Sequence, residues 1–167
     1  NFISKKNFNI DIEIIDDGDK ILDTGGGILN LTKKSKDNNF LVFNPDTIWN
    51  LDYFDVIQEM ESYYFKNKID NLLMVVNKSK SFDKRLKGDF ELKINLLTKN
   101  QKFNSHIFTG CQIINKNLLI KFGDKSFSII RVWEDLIDQN KLYGFESFTK
   151  FEHITDIEIY KKLAKNY

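Results

Sequence analysis

Two carboxylates and one run of three glycines have the types and positions to do chemistry in this chain. Asp46 closes the string Phe40-Leu41-Val42-Phe43-Asn44-Pro45-Asp46, a continuous apolar run ending in a polar turn. A carboxylate directly after a buried strand sits where a hard cation such as Mg²⁺ can be held together with substrate phosphates. The same residue also reads as an ordinary turn aspartate after proline. Asp156 follows the short apolar stretch 151–154 and opens the last helical pattern, and helix capping alone accounts for an aspartate there. Thr24-Gly25-Gly26-Gly27 precedes Ile28, Leu29 and Leu31 at helical spacing, so backbone N–H groups there could approach a nucleotide with no side chain in the way. No Gly-Lys-Ser/Thr follows and the dinucleotide-binding spacing is missing. A plain turn entering a helix is the other reading.

The remaining reactive residue types read as structural. His106 and His153 are isolated in apolar, strand-like surroundings. Cys111, beside Gly110, has no evident base partner and reads as a small core residue. Trp49, Trp133 and the phenylalanines read as core, and Lys33-Lys34-Ser35-Lys36-Asp37 and Lys78-Ser79-Lys80 as solvated surface.

The elements that must position these residues alternate between strand and helix. Residues 8–15 alternate apolar and polar and read as a strand, closed by Asp16-Asp17-Gly18-Asp19. The runs 40–43 and 72–76 are continuously apolar, as in strands buried on both faces. A helix over 53–64, with Asp52 as its N-cap, joins them in a right-handed βαβ crossover. Residues 90–97 and 103–107 read as an antiparallel hairpin laid on that sheet, with 108–114 continuing in extended form. A helix over 128–139, short strands at 142–145 and 151–154, and a helix over 156–165 complete the chain. The fold class is α/β, with a mixed, mostly parallel sheet and an antiparallel addition. In such sheets ligands bind outside the carboxyl ends of the strands.

At 167 residues the chain suits one domain with a real core. Its 25 basic and 24 acidic side chains nearly cancel, which argues against a nucleic-acid partner. One cysteine allows no internal disulfide and suits a reducing compartment. No apolar stretch approaches the roughly 20 residues that span a bilayer, so the expected setting is cytoplasmic, away from membranes.

Taken in order, these pieces resemble the sugar-phosphate nucleotidyltransferases, and within them the small bacterial enzymes acting on N-acetylmuramate-1-phosphate or mannose-1-phosphate. Leu22-Asp23-Thr24-Gly25-Gly26-Gly27-Ile28 is similar to the family's Leu-Glu-Thr-Gly-Gly-Gly-Ile. The run from Phe40 to Trp49 is similar to its strand ending in Asn-Gly-Asp and then Ile-Trp. Gly88-Asp89-Phe90, Phe108-Thr109-Gly110 and Thr155-Asp156-Ile157 match its later motifs. The resemblance implies a Rossmann-like nucleotidyltransferase fold over residues 1–167, joining a nucleoside triphosphate, UTP or GTP first, to a sugar-1-phosphate with release of pyrophosphate. It assigns Thr24, Gly25 and Gly26 to the nucleotide, Asp46 and Asp156 to Mg²⁺ and catalysis, and Asp89 and Gly110 to the sugar. The family's N-terminal strand and glycine-rich phosphate loop have no counterpart here. Pro45 replaces a glycine, and Glu158-Ile159-Tyr160 stands where Gly-Thr-Pro is usual. A non-catalytic nucleotide- or sugar-binding module of the same fold is the alternative function.

Overall fold

The computed structural model describes residues 3–123 and 126–167. Six strands, β1 (Asn39–Phe43), β2 (Asn71–Asn77), β3 (Glu91–Lys93), β4 (Leu96–Thr98), β5 (His106–Asn115) and β6 (Gly144–Ser147), are found among these residues. They are interleaved with five α-helices: α1 (Asp23–Lys33), α2 (Tyr53–Asn67), α3 (Asn117–Ile120), α4 (Ile130–Asp138) and α5 (Ile157–Leu163).

The central sheet has the order β1-β5-β2-β6. Both β1 and β2 run antiparallel to β5, with Phe43 opposite Cys111 and Asn77 opposite His106, while β6 runs parallel to β2. Three of the four strands therefore point one way, and β5, inserted between β1 and β2, points the other. The expected β1-α2-β2 connection exists, but it leaves a gap in the sheet that β5 fills.

Burial on both faces explains the apolar run of β2, but not that of β1, which lies at the sheet edge and leaves Leu41 and Phe43 exposed at 43% and 42%. Leu72 and Met74 of β2 face the cluster that contains Tyr53, Met60 and Tyr64 of α2, together with Cys111 and Ile113 of β5. Leu73 and Val75 face the opposite cluster, which holds Leu29 of α1, Leu119 of α3 and Val132, Trp133 and Leu136 of α4. Alternation along a strand sends successive side chains to opposite faces, and here helices cover both. Trp133 also donates its Nε1–H to Gln112 Oε1 at 3.2 Å, which satisfies a buried polar pair inside the larger cluster.

Several expectations are corrected. Residues 8–15 pair with no strand among the described residues, and Phe8, Ile10, Ile12 and Ile14 are all exposed. Alternation alone does not supply a neighbouring strand. The hairpin is tighter than its periodicity implied: Ile94 and Asn95, at φ 47° and 62°, form a two-residue turn between β3 and β4. Residues from His106 onward leave that hairpin and enter the sheet centre, where β5 is paired on both sides. Asp52 precedes α2 without capping it by its side chain, and the helix continues to Asn67 before Lys68 turns left-handed at φ 52°. Residues 151–154 make only isolated bridges, Ser81 with Phe151 and Thr47 with His153.

Because Leu73 is fully buried at the sheet centre, Leu73→Ala is expected to lower unfolding free energy by about 2–5 kcal/mol in urea denaturation. Leu51→Ala, at a position 89% exposed, is expected to stay within about 0.5 kcal/mol.

Candidate functional site

The shared direction of β1, β2 and β6 gathers residues 44–47, 78–90 and 148–156 at one edge of the sheet, and the reversed β5 brings its first residues, 106–110, to the same edge. The contact that closes this edge is made by the chain's last segment. Ile154 N–H donates to the Asp46 carbonyl at 2.8 Å, and Thr47 bridges His153. Asp46 and the segment leading to Asp156 are thereby brought together across 110 residues of sequence.

A cavity of about 300 Å³ opens beside Asp46. Its floor is aromatic: Phe108 meets Trp133 edge-on at 4.8 Å between ring centroids, and Phe90 does so at 5.9 Å. Its rim is polar, with Asn44, Asp46, Asp89, Lys99, Glu134 and His153. Aromatic faces with convergent carboxylates and amides suit a ligand that is apolar on one side and hydroxylated on the other.

Within this rim Asp46 is unusual. Its Oδ1 is buried and accepts no hydrogen bond, and His153 Nδ1 lies 3.7 Å away. The Thr47 hydroxyl donates to the Thr109 carbonyl at 2.7 Å, so toward His153 Nδ1, at 3.4 Å, it can only accept. The ring is held against Phe151, stacked at 5.6 Å. An orphaned buried carboxylate oxygen is costly unless something completes it, and a hard divalent cation suits a carboxylate oxygen well.

Asp156 is not among the residues that line this cavity. Its Oδ1 accepts the N–H groups of Glu158 and Ile159, both at 2.9 Å, and so caps α5. Its Oδ2 takes Arg85 Nη2 at 2.7 Å. The Ile159 N–H and then the Arg85 guanidinium hold its carboxyl below the usual range. Arg85 is itself fixed by Asp83, which accepts Nε and Nη2 at 2.8 Å each, the Arg85 backbone N–H at 3.0 Å and the Thr155 hydroxyl at 2.8 Å. The Arg85 bonds, outweighing burial, hold the Asp83 carboxyl far below its ordinary value. Among the described residues no three His, Cys, Asp or Glu side chains cluster as a self-sufficient metal cage. A cation held here would need oxygens from a bound ligand as well as from these carboxylates, as Mg²⁺ takes them from substrate phosphates.

The other expected residues divide. Asp89 lines the cavity and accepts the Phe108 N–H through Oδ2 at 2.9 Å. Gly110, at φ 91°, lies under Asn44, where an added Cβ would come 2.8 Å from Asn44 Cβ. Its carbonyl accepts the Asn44 N–H at 2.8 Å, so it shapes the turn leading to Asp46. Thr24, Gly25 and Gly26 lie outside that cavity. The glycines stand inside the first turn of α1, not ahead of it, and the N–H groups of Gly25 and Gly26 both donate to the Phe127 carbonyl at 2.9 and 3.1 Å. A Cβ on Gly25 would lie 2.4 Å from the Phe127 ring. Thr24 Oγ1 accepts the Ile129 N–H at 3.0 Å, which fixes the start of α4, whose Ile130 and Trp133 line the Asp46 cavity. Gly26 borders a second cavity of about 340 Å³ with Asp16, Asp17 and Asn30.

Asp83, Arg85, Lys99 and Glu134 drew no attention in the sequence, because isolated charges in polar stretches carry no periodic signal. His153 was read as structural, and its place against Asp46 depends on a bridge between residues far apart in the chain. His106 is a satisfied core histidine, contacting Ser105 Oγ at 2.8 Å and Glu146 Oε1 at 3.3 Å. Burial pushes the Cys111 thiol up to about 12, which leaves it inert as a nucleophile.

No protein-family model matches the chain, and no curated relative is found. Solved structures do match. HddC from Yersinia pseudotuberculosis, complexed with GMP-PN, is similar at TM-score 0.62 and 22% identity over 89% of this chain and 64% of that one. An inositol-1-phosphate CTP transferase from T. maritima is similar at 0.58 and 15% identity, over 86% of this chain and 62% of that one. A UDP-glucose pyrophosphorylase complexed with UDP-glucose is similar at 0.66 and 13% identity, over 89% and 63%. The chain thus has the sugar-phosphate nucleotidyltransferase fold and spans under two thirds of the length of each of these structures.

Because the Asp83 carboxyl is held low in the fold, its stabilising contribution is present above the ordinary aspartate pKa of about 3.9 and is lost as pH falls below it. Asp83→Asn is expected to cost about 1–3 kcal/mol near neutral pH and to flatten the fall of Tm between about pH 5 and pH 2, as read by thermal melts across that range.

Proposed function

We propose that this protein transfers a nucleotidyl group to a sugar-1-phosphate. A phosphate oxygen of the sugar-1-phosphate attacks the α-phosphorus of a nucleoside triphosphate. The α–β phosphoanhydride bond breaks, and pyrophosphate leaves with its electron pair. The Asp46 carboxylate carries this reading: an unsatisfied buried oxygen at the carboxyl edge of the sheet, beside a cavity with an aromatic floor and a polar rim, on a nucleotidyltransferase fold.

Each residue then has a role. Asp46 and Asp156 would hold Mg²⁺, which when bound neutralises phosphate charge and orients the two reactants. The chain's own work is positioning, since this reaction needs no protein nucleophile. Phe90, Phe108 and Trp133 would face the carbon side of the sugar ring. Asp89 has Oδ1 left to accept a sugar hydroxyl once Oδ2 has taken the Phe108 N–H, and Gly110 keeps the adjoining turn close. Thr24, Gly25 and Gly26 would border the nucleotide, with Gly26 facing it through its own cavity and not through its N–H group, which is already bonded to Phe127. UTP and GTP are the first nucleotides to try. No helix among the described residues is long and apolar enough to cross a membrane.

The test is pyrophosphate release by the full-length protein with Mg²⁺ over four nucleoside triphosphates and a panel of sugar-1-phosphates. Release requiring one particular pair is the expected result. Asp46→Asn and Asp156→Asn are each expected to lower turnover by at least about a hundredfold while leaving the melting transition cooperative. Silence across the panel with nucleotide binding retained would make the protein a binding module of the same fold.

A further inference from the structure

Asp156 has no free oxygen in this structure. One is engaged by the two N–H groups at the start of α5, and the other by Arg85 at 2.7 Å. Arg85 is not a loosely placed surface cation, although its side chain is 53% exposed. Its guanidinium is forked onto the buried Asp83 through two bonds of 2.8 Å, and Asp83 is in turn held by the Thr155 hydroxyl, one residue before Asp156. The same Nη2 that serves Asp83 also serves Asp156, so the fork that fixes Arg85 aims it at the carboxylate. Its Nη1 lies 3.9 Å from Glu158 Oε2, on two side chains that are both more than half exposed.

We infer that Arg85 is a built-in counter-cation of Asp156 that suppresses divalent-cation binding in the ligand-free protein. This rests on the reading that Asp46 and Asp156 form the cation site. A divalent ion at Asp156 must take the oxygen that Arg85 occupies and sit within a few ångströms of a fixed positive charge, where like charges repel strongly. The free protein therefore offers a cation little beyond Asp46. A phosphate group arriving at Nη1 would draw the guanidinium off Asp156 and open the second carboxylate, since an arginine fork suits phosphate as well as carboxylate. Metal and triphosphate would then enter together instead of the metal resting alone on an empty site. Arg85 acts here as a positioning residue.

The inference is tested by titrating Mn²⁺ into the ligand-free protein and following the loss of free-ion signal by electron paramagnetic resonance. Arg85→Gln removes the cation, and the pair Asp83→Asn/Arg85→Gln also removes the buried carboxylate that the single change would leave unpaired. Both are expected to bind Mn²⁺ on the order of tenfold or more tightly than wild type, a gain of about 1.4 kcal/mol. That gain is expected to vanish when Asp156→Asn is added. Equal or weaker binding in both variants, with Asp46→Asn still abolishing what binding there is, overturns the role of Arg85 and leaves the cation site standing. Absence of Mn²⁺ binding in every version overturns both.

Discussion

The structure depends on the two-sided pairing of β5. β1 and β2 run in the same direction and do not touch as neighbours; each is joined to the sheet through the antiparallel strand between them. That insertion decides where the sheet ends are. Because β5 starts at the edge where β1 and β2 finish, residues 106–110 lie beside 43–47, and Gly110 can sit directly under Asn44. A strand of the other polarity would have put residues 106–110 at the opposite edge and taken Phe108 out of the lining of the Asp46 cavity.

The second requirement is closure by the chain's end. The hydrogen bond from Ile154 to Asp46 and the bridge between Thr47 and His153 bring the segment leading into α5 against the β1 turn. The cost of gathering carboxylates there is offset unequally. Asp83, almost fully buried, is satisfied by four hydrogen bonds from Arg85 and Thr155, as a buried charge must be. Asp46 keeps one buried oxygen without a donor.

The glycine run shows how a motif can serve the scaffold and the site at once. Gly25 is required because Phe127 fills the space a side chain would need, and the N–H groups of Gly25 and Gly26 hold the Phe127 carbonyl. Thr24 then fixes the first turn of α4, the helix that supplies Ile130 and Trp133 to the Asp46 cavity. The motif thus shapes the cavity from behind, through one tertiary hydrogen bond, whether or not a nucleotide touches it.

The sequence by itself determined the α/β class, the strands at 40–43 and 72–76, of which only the second is buried on both faces, the capping role of Asp156 and the core placement of Cys111. Each rests on local composition or on a period that a strand or helix must obey. It also drew attention to Asp46, as a carboxylate directly after an apolar strand, and through the family resemblance to Asp89. Only the tertiary structure decided that β5 belongs in the centre of the sheet and that residues 8–15 have no strand beside them. It alone also brought His153 against Asp46 and aimed Arg85 at Asp156. Those outcomes depend on which segments, tens of residues apart, win each other as partners, and pairwise competition of that kind leaves no trace in the pattern of either segment alone.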